Sequence, residues 1–532
     1  MTDPNANKMK HALEHGEFIV TCEIIPGRGA LVAHQVSEFE EAQRLFATGR
    51  VHAISVTDNP GGNPALLADA FAADLKAKGI TPLVHVTCKD RNRNQMQSQL
   101  YSLESRGVEN VLIMTGDYPV SGWGGRARPV FDLDPVQTLL MLDQMNEGLV
   151  YQGPRGEEKD EPTHFFPGAV VSPFKWTEGE TVLQYLKLEK KLYAGARYII
   201  SQVGFDARKM EELLLYLRGR GYTVPVIANI FLIGAGAARY MRDGGIPGCY
   251  MSEEFLAVLQ EEAKAEDKGR AARWLRAAKM VAIARGLGYA GVHIGGLGLT
   301  AETLAIILDT ADEVQDQWRE WAHELHYGKS KGFYYYQPAL DAQGTPTGLN
   351  AAQESARAEI RTESAVHRSY GLSRFFHYWV LTEGKRGFKL LKLFEGWREK
   401  KRGVRHGHWV EHSGKGAIYG CIDCGDCGLE ATTYSCPMSQ CPKCQRNGAC
   451  GGSTDGWCEV YPKERICVHF KAYHRLKKHD ELYKMDTFIT PPNNWDFFET
   501  SAWSNYTQQR DNTARRIYLP PREQRGHKEE TP

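Results

Sequence analysis

Short apolar runs, each typical of a buried β-strand, recur eight times between residues 18 and 298. Each run is too short for a helix and lacks the regular polar alternation of a strand with one face in solvent, as expected of strands buried on both faces. Longer amphipathic segments that predict helices separate the runs. The runs are 18–25, 52–58, 81–88, 110–117, 166–173, 198–205, 224–231 and 291–298.

Eight strand–helix units are the number that closes a parallel barrel. The pattern therefore predicts a (β/α)8 TIM barrel over residues 1–330, and a doubly wound open sheet is the alternative. Two insertions, 118–165 and 232–290, interrupt the alternation of strands and helices. Insertions at the carboxyl-terminal mouth of a barrel usually shape its active site.

The composition changes after residue 330. Residues 331–410 are predicted to be a linker and helical segment, with helix expected over 352–400, and residues 411–480 a small cysteine-rich domain. The tail, 481–532, is expected to wrap on the surface or fray. Nine Lys and Arg residues in 385–405 face only two Glu residues. That stretch suits either a docking surface for an acidic partner or a solvated helix face.

Bulk charge and hydropathy narrow the class of protein. The formal net charge is zero, so no global basic field indicates nucleic acid. The first residues contain no apolar signal segment, and no run reaches the roughly 20 apolar residues of a membrane span. We therefore expect a cytoplasmic protein without a membrane partner. Nine of the twelve cysteines lie in 421–467. Without an export signal, such a cluster indicates metal binding rather than disulfides.

The cysteine spacing is C-x2-C-x2-C-x8-C-x4-C-x2-C-x5-C-x7-C-x8-C. Paired C-x2-C units suit zinc or iron–sulfur sites, and nine thiolates can fill two four-ligand sites with one left over. A DNA-reading zinc finger needs a basic helix after its ligands, which this stretch lacks. A purely structural zinc, stabilising a domain too small for a large core, remains an alternative to a redox centre.

Polar side chains lie at the ends of the predicted strands. In a parallel barrel these ends meet at one mouth, so ionisable groups there would share a cleft. Individually, each carboxylate can equally be a helix cap or an ion-pair partner. The set comprises Glu23, Thr57 with Asp58, His85 with Thr87, Gly116 with Asp117, Gln202 and the glycines of GVHIGGLG (291–298).

Four segments carry a family resemblance: CEIIPGRG (22–29), VHVTCKDRN (84–92), MTGDYP (114–119) and KKLYAGARYIISQVGFD (190–206). In this order and spacing they resemble the barrel of the methylenetetrahydrofolate reductase family. The resemblance implies a flavin, FAD or else FMN, in the barrel mouth and a tetrahydrofolate substrate stacked on it.

The resemblance also assigns roles. Glu23 would be the catalytic acid that protonates the folate amine, with a pKa raised by desolvation in the cleft. Asp117, the second catalytic residue, would lie beside flavin and pterin, and Gln202 would orient the folate. The implied flavin-binding residues are Thr57, His85, Thr115, Gly116, Asp117 and Lys191.

The sequence departs from the family pattern near the flavin. Ser172 stands where an Asn is expected, the sixth strand reads SQVGFD, and Asp58 replaces an aromatic residue of some members. These changes leave the electron donor open. Cys22 and Cys88, in strands beside site positions, are predicted to be buried packing residues.

Residues 360–475 resemble the cysteine-rich C-terminal domain that accompanies such reductase barrels. The resemblance makes Cys444 the non-ligand. The other eight would hold two [4Fe-4S] clusters, or one cluster and one zinc, and are Cys421, Cys424, Cys427, Cys436, Cys441, Cys450, Cys458 and Cys467.

Together the two resemblances imply a flavin-dependent oxidoreductase that interconverts 5,10-methylene- and 5-methyltetrahydrofolate. Electrons would come from a ferredoxin-like protein through the cysteine-rich domain, or from NAD(P)H. We expect a homo-oligomer or a subunit of a complex. The alternatives are an electron-transfer or scaffold subunit of a one-carbon complex, and a folate-dependent methyltransferase that needs no flavin.

Overall fold

The computed structural model describes residues 7–30, 32–356 and 368–525. These residues form fourteen strands, eight of which close into a parallel barrel in the order β1-β10-β9-β8-β7-β4-β3-β2. The strands are β1 (Ile19–Ile24), β2 (Ala53–Val56), β3 (Pro82–Thr87), β4 (Asn110–Met114), β5 (Val150–Gly153), β6 (Gly156–Lys159), β7 (Phe166–Val171), β8 (Tyr198–Ser201), β9 (Val226–Leu232), β10 (Gly291–Gly296), β11 (Tyr336–Leu340), β12 (Pro346–Glu354), β13 (Phe488–Ile489) and β14 (Ile517–Tyr518).

The α-helices of the described ranges surround the barrel and build most of the region after it. They are α1 (Lys8–Glu14), α2 (Ala33–Ala47), α3 (Ala68–Ala77), α4 (Arg93–Glu104), α5 (Pro135–Glu147), α6 (Glu178–Tyr193), α7 (Ala207–Gly219), α8 (Ala235–Arg242), α9 (Glu253–Glu262), α10 (Arg270–Leu287), α11 (Ala301–Glu313), α12 (Trp318–Glu324), α13 (Arg368–Phe376), α14 (Arg386–Arg402), α15 (Trp409–Tyr419), α16 (Val468–Lys477) and α17 (Ala502–Thr507).

The predicted TIM barrel is confirmed, and the open sheet is set aside. Each of the eight predicted runs contains one barrel strand. The first and last strands of the barrel pair directly, with Ile19 opposite Gly291, which closes the sheet on itself. Parallel strands buried on both faces explain the continuous apolar runs.

Helix α1 covers the amino-terminal end of the barrel. Its buried side chains Met9 and Leu13 belong to one apolar cluster with Ile19, Tyr198 and Ile227 from the strands. With this end filled by side chains, the opening of the barrel is the carboxyl-terminal mouth, where parallel barrels place their active sites.

The insertions and the linker add local structure. The 118–165 insertion contains α5 and the β5–β6 hairpin, and the 232–290 insertion contains α8, α9 and α10. The β11–β12 hairpin packs on α7, where Arg208 donates to the Tyr336 carbonyl at 3.2 Å. Helix was expected from residue 352, and this is wrong for 352–354. These residues belong to β12, whose backbone pairs with β11. Residues 357–367 of the predicted linker lie outside the described residues.

The region after residue 368 lies against helix α6, whose residues 178–191 are all buried. Glu178 at the start of α6 accepts from Tyr473 at 2.6 Å and from Lys477 at 2.7 Å, both on α16. Near its end, Glu189 accepts from Arg525 at 2.8 Å. The polar face of α6 therefore meets the cysteine-rich region and the tail instead of solvent.

The rest of the described tail also packs on the protein. Asp426, fully buried in the cysteine-rich region, accepts from the backbone N–H of Asn494 at 3.0 Å and of Asn512. Residues 526–532 lie outside the described part. Within the described ranges, no helix is both long and apolar enough to cross a membrane.

Candidate active site

A cavity of about 290 Å³ opens at the carboxyl-terminal mouth of the barrel. Side chains from the ends of the barrel strands line it, together with residues 443–459 of the cysteine-rich region. The structure thus brings together every barrel residue to which the family resemblance assigned a role: Glu23, Thr57, His85, Thr115, Gly116, Asp117, Lys191 and Gln202.

Glu23 ends β1 and faces an imidazole that the sequence analysis did not select. Its Oε2 atom lies 3.5 Å from Nε2 of His293 on β10. The other ring nitrogen, Nδ1, lies 2.9 Å from the hydroxyl of Thr21. If that hydroxyl donates to Nδ1, the ring carries its proton on Nε2, toward Glu23. Carboxylate, imidazole and hydroxyl therefore form a continuous polar chain into the barrel.

The expectation of a raised Glu23 pKa is wrong for this structure. Burial is the largest single influence and raises the pKa of the carboxyl. The hydrogen bond from His293, its electrostatic effect and the smaller effect of His85 together outweigh burial and hold the pKa below its ordinary value. Glu23 is therefore a carboxylate that must receive its proton from a neighbour before it can act as an acid.

His85 on β3 is the third member of this group. Burial lowers its pKa to about 4, so the ring is neutral at pH 7. Its Nε2 atom lies 2.8 Å from the hydroxyl of Ser55. Among the described residues, Glu23, His85 and His293 are also the His, Cys, Asp or Glu side chains whose ligand atoms all lie within 4.8 Å of one another. The same geometry that passes a proton can hold one divalent cation.

Asp117 and Gln202 face the cavity from β4 and β8. Asp117 accepts from the backbone N–H of Gly61 at 2.8 Å. The Gln202 side-chain oxygen accepts from the Val203 N–H at 2.8 Å, which leaves the NH2 end of the amide for a ligand. A carboxylate and an amide that are each held by a backbone N–H group suit a planar heterocycle with neighbouring hydrogen-bond donors and acceptors.

The residues of the mouth fit a flavin. The buried hydroxyls of Thr57 and Ser172 have no hydrogen-bond partner within the protein, so both require polar atoms from a ligand or water. Gly116 has φ +82°, and a Cβ there would lie 2.8 Å from Thr87, so only glycine keeps this edge open.

Lys191 of α6 supplies a cation at the inner side of the mouth. Its ammonium donates to the Val170 carbonyl at 2.5 Å. Burial, followed by repulsion from Lys187, lowers the pKa of Lys191 to about 7. An anion beside a buried lysine stabilises the charged form of the lysine, and a flavin phosphate would be such an anion.

Two further mouth residues, Lys443 and Glu459, come from the cysteine-rich region and were missed. Lys443 donates to the Gly116 carbonyl at 2.7 Å and forms a buried ion pair with Glu459. Gln445 accepts from Lys187 at 2.8 Å and from Thr115 at 3.4 Å. These residues lie more than 300 positions from the strands they contact, and no periodicity links them. Their location inside the cysteine cluster is the only signal in the sequence.

The nine clustered cysteines separate into two groups and one remainder. Burial raises the pKa of Cys424, and its thiol neighbours Cys427 and Cys436 raise it further. These three and Cys421 form the outer group. Cys441 is raised in the same way by burial and then by Cys450 and Cys467. The inner group is Cys441, Cys450, Cys458 and Cys467, and Cys444 is an electrostatic neighbour of one thiol in each group, Cys436 and Cys441.

The cysteine sulfurs are spread out in this structure. Among the described residues, no three cysteine sulfurs lie within 4.8 Å of one another. Backbone N–H groups point at several sulfurs, as from Asp423 to Cys421 at 3.4 Å, which is how proteins stabilise cluster thiolates.

The two cysteine groups have different surroundings. Cys450 of the inner group lines the barrel mouth itself. Cys427 of the outer group instead borders an apolar cavity of about 350 Å³ among α13, α15 and the tail. The inner group therefore lies between the barrel mouth and the rest of the cysteine-rich region.

Comparison with known proteins decides the family. The family model described as Methylenetetrahydrofolate reductase matches residues 8–311, which is over half of the chain. The chain belongs to the methylenetetrahydrofolate reductase family. A second model, described as Methylene-tetrahydrofolate reductase C terminal, matches residues 405–496.

Curated relatives of this reductase family are distant. A probable methylenetetrahydrofolate reductase (NADH) from Oryza sativa subsp. japonica is 23% identical over 57% of this chain and 50% of its own length. The probable methylenetetrahydrofolate reductase (NADPH) from Caenorhabditis elegans is 25% identical over 36% of this chain and 28% of its own length. The chain thus spans half or less of the curated relatives it matches.

Solved structures give weaker likenesses. An uncharacterized protein from Clostridium thermocellum, described as binding two copies of 5-methyl-5,6,7,8-tetrahydrofolic acid, is 12% identical with a TM-score of 0.40. The match covers 58% of this chain and 99% of that one. Tryptophan synthase from M. tuberculosis is 11% identical, covers 60% and 98%, and has a TM-score of 0.30.

The departures from the reductase family pattern have structural explanations. Asp58 is buried and forms a bidentate ion pair with Arg91, at 2.7 and 3.2 Å, so it fixes the loop after β3. Ser172 presents one of the two unpartnered hydroxyls. Cys22 and Cys88 are fully buried, as predicted, and burial raises the pKa of both thiols.

Proposed function

We propose that this protein is a flavin-dependent oxidoreductase that interconverts 5,10-methylene- and 5-methyltetrahydrofolate. The observation that carries the proposal is the chain Glu23–His293–Thr21 at the mouth of a barrel of this family, opposite Asp117 and Gln202. A bound flavin, FAD or FMN, supplies the hydride.

Glu23 and His293 handle the proton. Opening the methylene bridge leaves a folate nitrogen that must be protonated, and Glu23 is the acid that faces it. Because Glu23 rests as a carboxylate, the pair must first take up a proton from solvent. When His293 carries a proton on both ring nitrogens, its Nε2–H passes one proton to Glu23, and its Nδ1–H donates to the Thr21 hydroxyl and orients the ring. In the opposite direction the same chain accepts the proton.

Asp117 and Gln202 position the pterin. A carboxylate binds the adjacent ring N–H and amino group of a pterin with two parallel hydrogen bonds. The NH2 end of Gln202 is free to donate to a ring acceptor, since its oxygen is held by Val203. Together they fix the plane of the ring against the flavin and exclude water from the reacting face.

The remaining mouth residues hold the flavin. The hydroxyls of Thr57 and Ser172 have no hydrogen-bond partner within the protein and can bind polar atoms of the flavin. Lys191 provides a buried cation, and Gly116 leaves room at the edge of the mouth. His85 and Thr115 complete the binding set on neighbouring strands.

The cysteine groups hold iron–sulfur clusters that exchange electrons with the mouth. The position of Cys450 in the mouth supports this over structural zinc. Because the cysteine-rich region covers part of the mouth, a ferredoxin-like protein is the electron partner, and NAD(P)H is the alternative. A homo-oligomer or a larger complex accommodates either donor.

The variant Glu23→Gln tests the function. With anaerobically purified protein and an artificial electron carrier, we expect folate turnover to fall by about 10²–10⁴-fold, the usual contribution of a general acid. Flavin content and flavin reduction should match the wild type, because Gln keeps the volume of Glu. Undiminished turnover would refute the assignment, and a protein without flavin would favour the methyltransferase alternative.

A further inference from the structure

Helix α14 presents an apolar stripe to the outside of the molecule. Leu390, Leu393, Phe394 and Trp397 are 68, 72, 55 and 54% exposed, at positions i, i+3, i+4 and i+7. A surface helix normally turns such a stripe toward the core. Contiguous exposed apolar surface of this kind marks an interaction site.

The inner face of α14 is charged instead. Glu395 and Arg398 are buried and form an ion pair at 2.7 Å, and Glu395 also accepts from Ser501 at 3.2 Å. Glu399 pairs with Arg510 of the tail at 2.9 Å. Both Glu residues of α14 therefore pair with partners inside the protein, and neither neutralises the positive charge of the outer face.

Lysines border the apolar stripe. Lys389, Lys392, Lys400 and Lys401 are all exposed. We call the apolar stripe and these four lysines the α14 surface. Two copies of this chain meeting through it would bring eight lysines together, so repulsion disfavours self-association. The surface complements an apolar patch with an acidic border.

Contacts on the inner face of α14 connect the helix to the outer cysteine group. Glu395 and Glu411 of α15 share the hydroxyl of Ser501, and Glu411 accepts from Lys415 at 3.0 Å. Lys415 has the thiols of Cys427 and Cys421 as electrostatic neighbours. Trp409, Val410 and Ile418 of α15 extend the exposed apolar area toward the same cysteines.

We propose that the α14 surface is the docking site of an acidic one-electron carrier protein that exchanges electrons with the outer cysteine group. The proposal rests on the proposed function only in assigning redox clusters to the cysteines. Each reduced carrier gives one electron to the outer cysteine group and is oxidised. Two such transfers, with two protons from water, supply what full reduction of a flavin requires.

The test uses an acidic two-cluster bacterial ferredoxin as the probe. Stopped-flow reduction of the holoprotein by reduced ferredoxin is compared for the wild type and Lys389→Glu/Lys392→Glu. We expect the second-order rate constant to fall about tenfold or more, with a weaker dependence on salt. Fluorescence anisotropy of labelled ferredoxin should show the matching loss of binding, and Leu393→Asp should weaken binding at unchanged charge on the lysines.

The matched control is Lys78→Glu/Lys268→Glu, which changes net charge equally on the exposed barrel surface. It should bind and react like the wild type. Equal losses in both double variants, or no loss in either, would overturn the proposal. So would sedimentation showing that Leu393→Asp dissociates a dimer, or ferredoxin inert toward wild type. Folate turnover with reduced methyl viologen should persist in every variant, and its absence in the wild type would count against the proposed function alone.

Discussion

The proton transfer that we propose for the folate reaction depends on two side chains that lie far apart in the sequence. Glu23 and His293 come from the first and last barrel strands, which become neighbours only when the barrel closes. Burial alone would favour a neutral carboxyl, and His293 reverses that preference. The acid strength of Glu23 is therefore set by its neighbour.

Replacing His293 with Asn should change the pH profile as well as the rate. Without the imidazole, burial dominates and the pKa of Glu23 rises above its ordinary value. We expect kcat/KM for reduction of the methylene bridge to fall by about 10²-fold or more. The alkaline limb of its pH profile, where Glu23 loses its proton, should move to higher pH. The pH dependence of the folate and flavin half-reactions, measured separately, checks this. An unmoved folate profile would contradict the relay.

Lys191 should make flavin binding depend on pH. With a pKa lowered to about 7, Lys191 is charged below pH 7 and loses its charge above it. Apoprotein affinity for FAD should therefore fall as the pH rises from 6 to 8.5, and Lys191→Met should bind weakly without that dependence. Flavin fluorescence titration measures both. Lys190→Met, one position along the buried helix, is the control and should keep the dependence.

At the scale of elements, α6 joins the two halves of the protein. Its strand-facing side packs on the barrel, while its polar side is buried under α16 and the tail. An amphipathic pattern is the same whether the polar face meets water or another domain. The covering of α6 was for that reason not predictable from the sequence.

Glu178→Ala should loosen this contact. The change removes the Glu178 carboxylate that accepts from Tyr473 and Lys477, and breaking a buried pair costs about 3–5 kcal/mol. We expect a lower thermal midpoint and faster proteolytic release of the cysteine-rich region. Glu253→Ala, which removes an exposed pair with Arg242, should change stability by less than about 1 kcal/mol. Equal behaviour of the two variants would contradict the role of α6.

How much of the structure the sequence could predict depends on how far apart along the chain the interacting residues lie. Buried parallel strands impose continuous apolar runs, so the barrel and the polar strand ends could be located. His293 escaped selection because its strand end is rich in glycine and its partner is on β1. Lys443 and Glu459 reach the mouth through tertiary packing, which leaves no periodic trace.

At the scale of the whole molecule, the described regions line up from surface to mouth. Helix α14 connects to α15 through Glu395, Ser501 and Glu411, and Cys427 of the outer cysteine group lines the cavity beside α15. Cys450 of the inner group lines the barrel mouth with Glu23 and Asp117. A zinc site that only stabilised the fold would not need to lie at the barrel mouth. This arrangement supports electron transfer through the cysteine-rich region.

The most direct test is the iron, zinc and acid-labile sulfide content of anaerobically purified protein. Two four-iron clusters predict about eight irons and about eight sulfides per chain, together with one flavin. Two zinc ions without sulfide would contradict electron transfer through the cysteines. The cysteine-rich region would then be a structural cap, and the flavin would take its electrons from a nicotinamide.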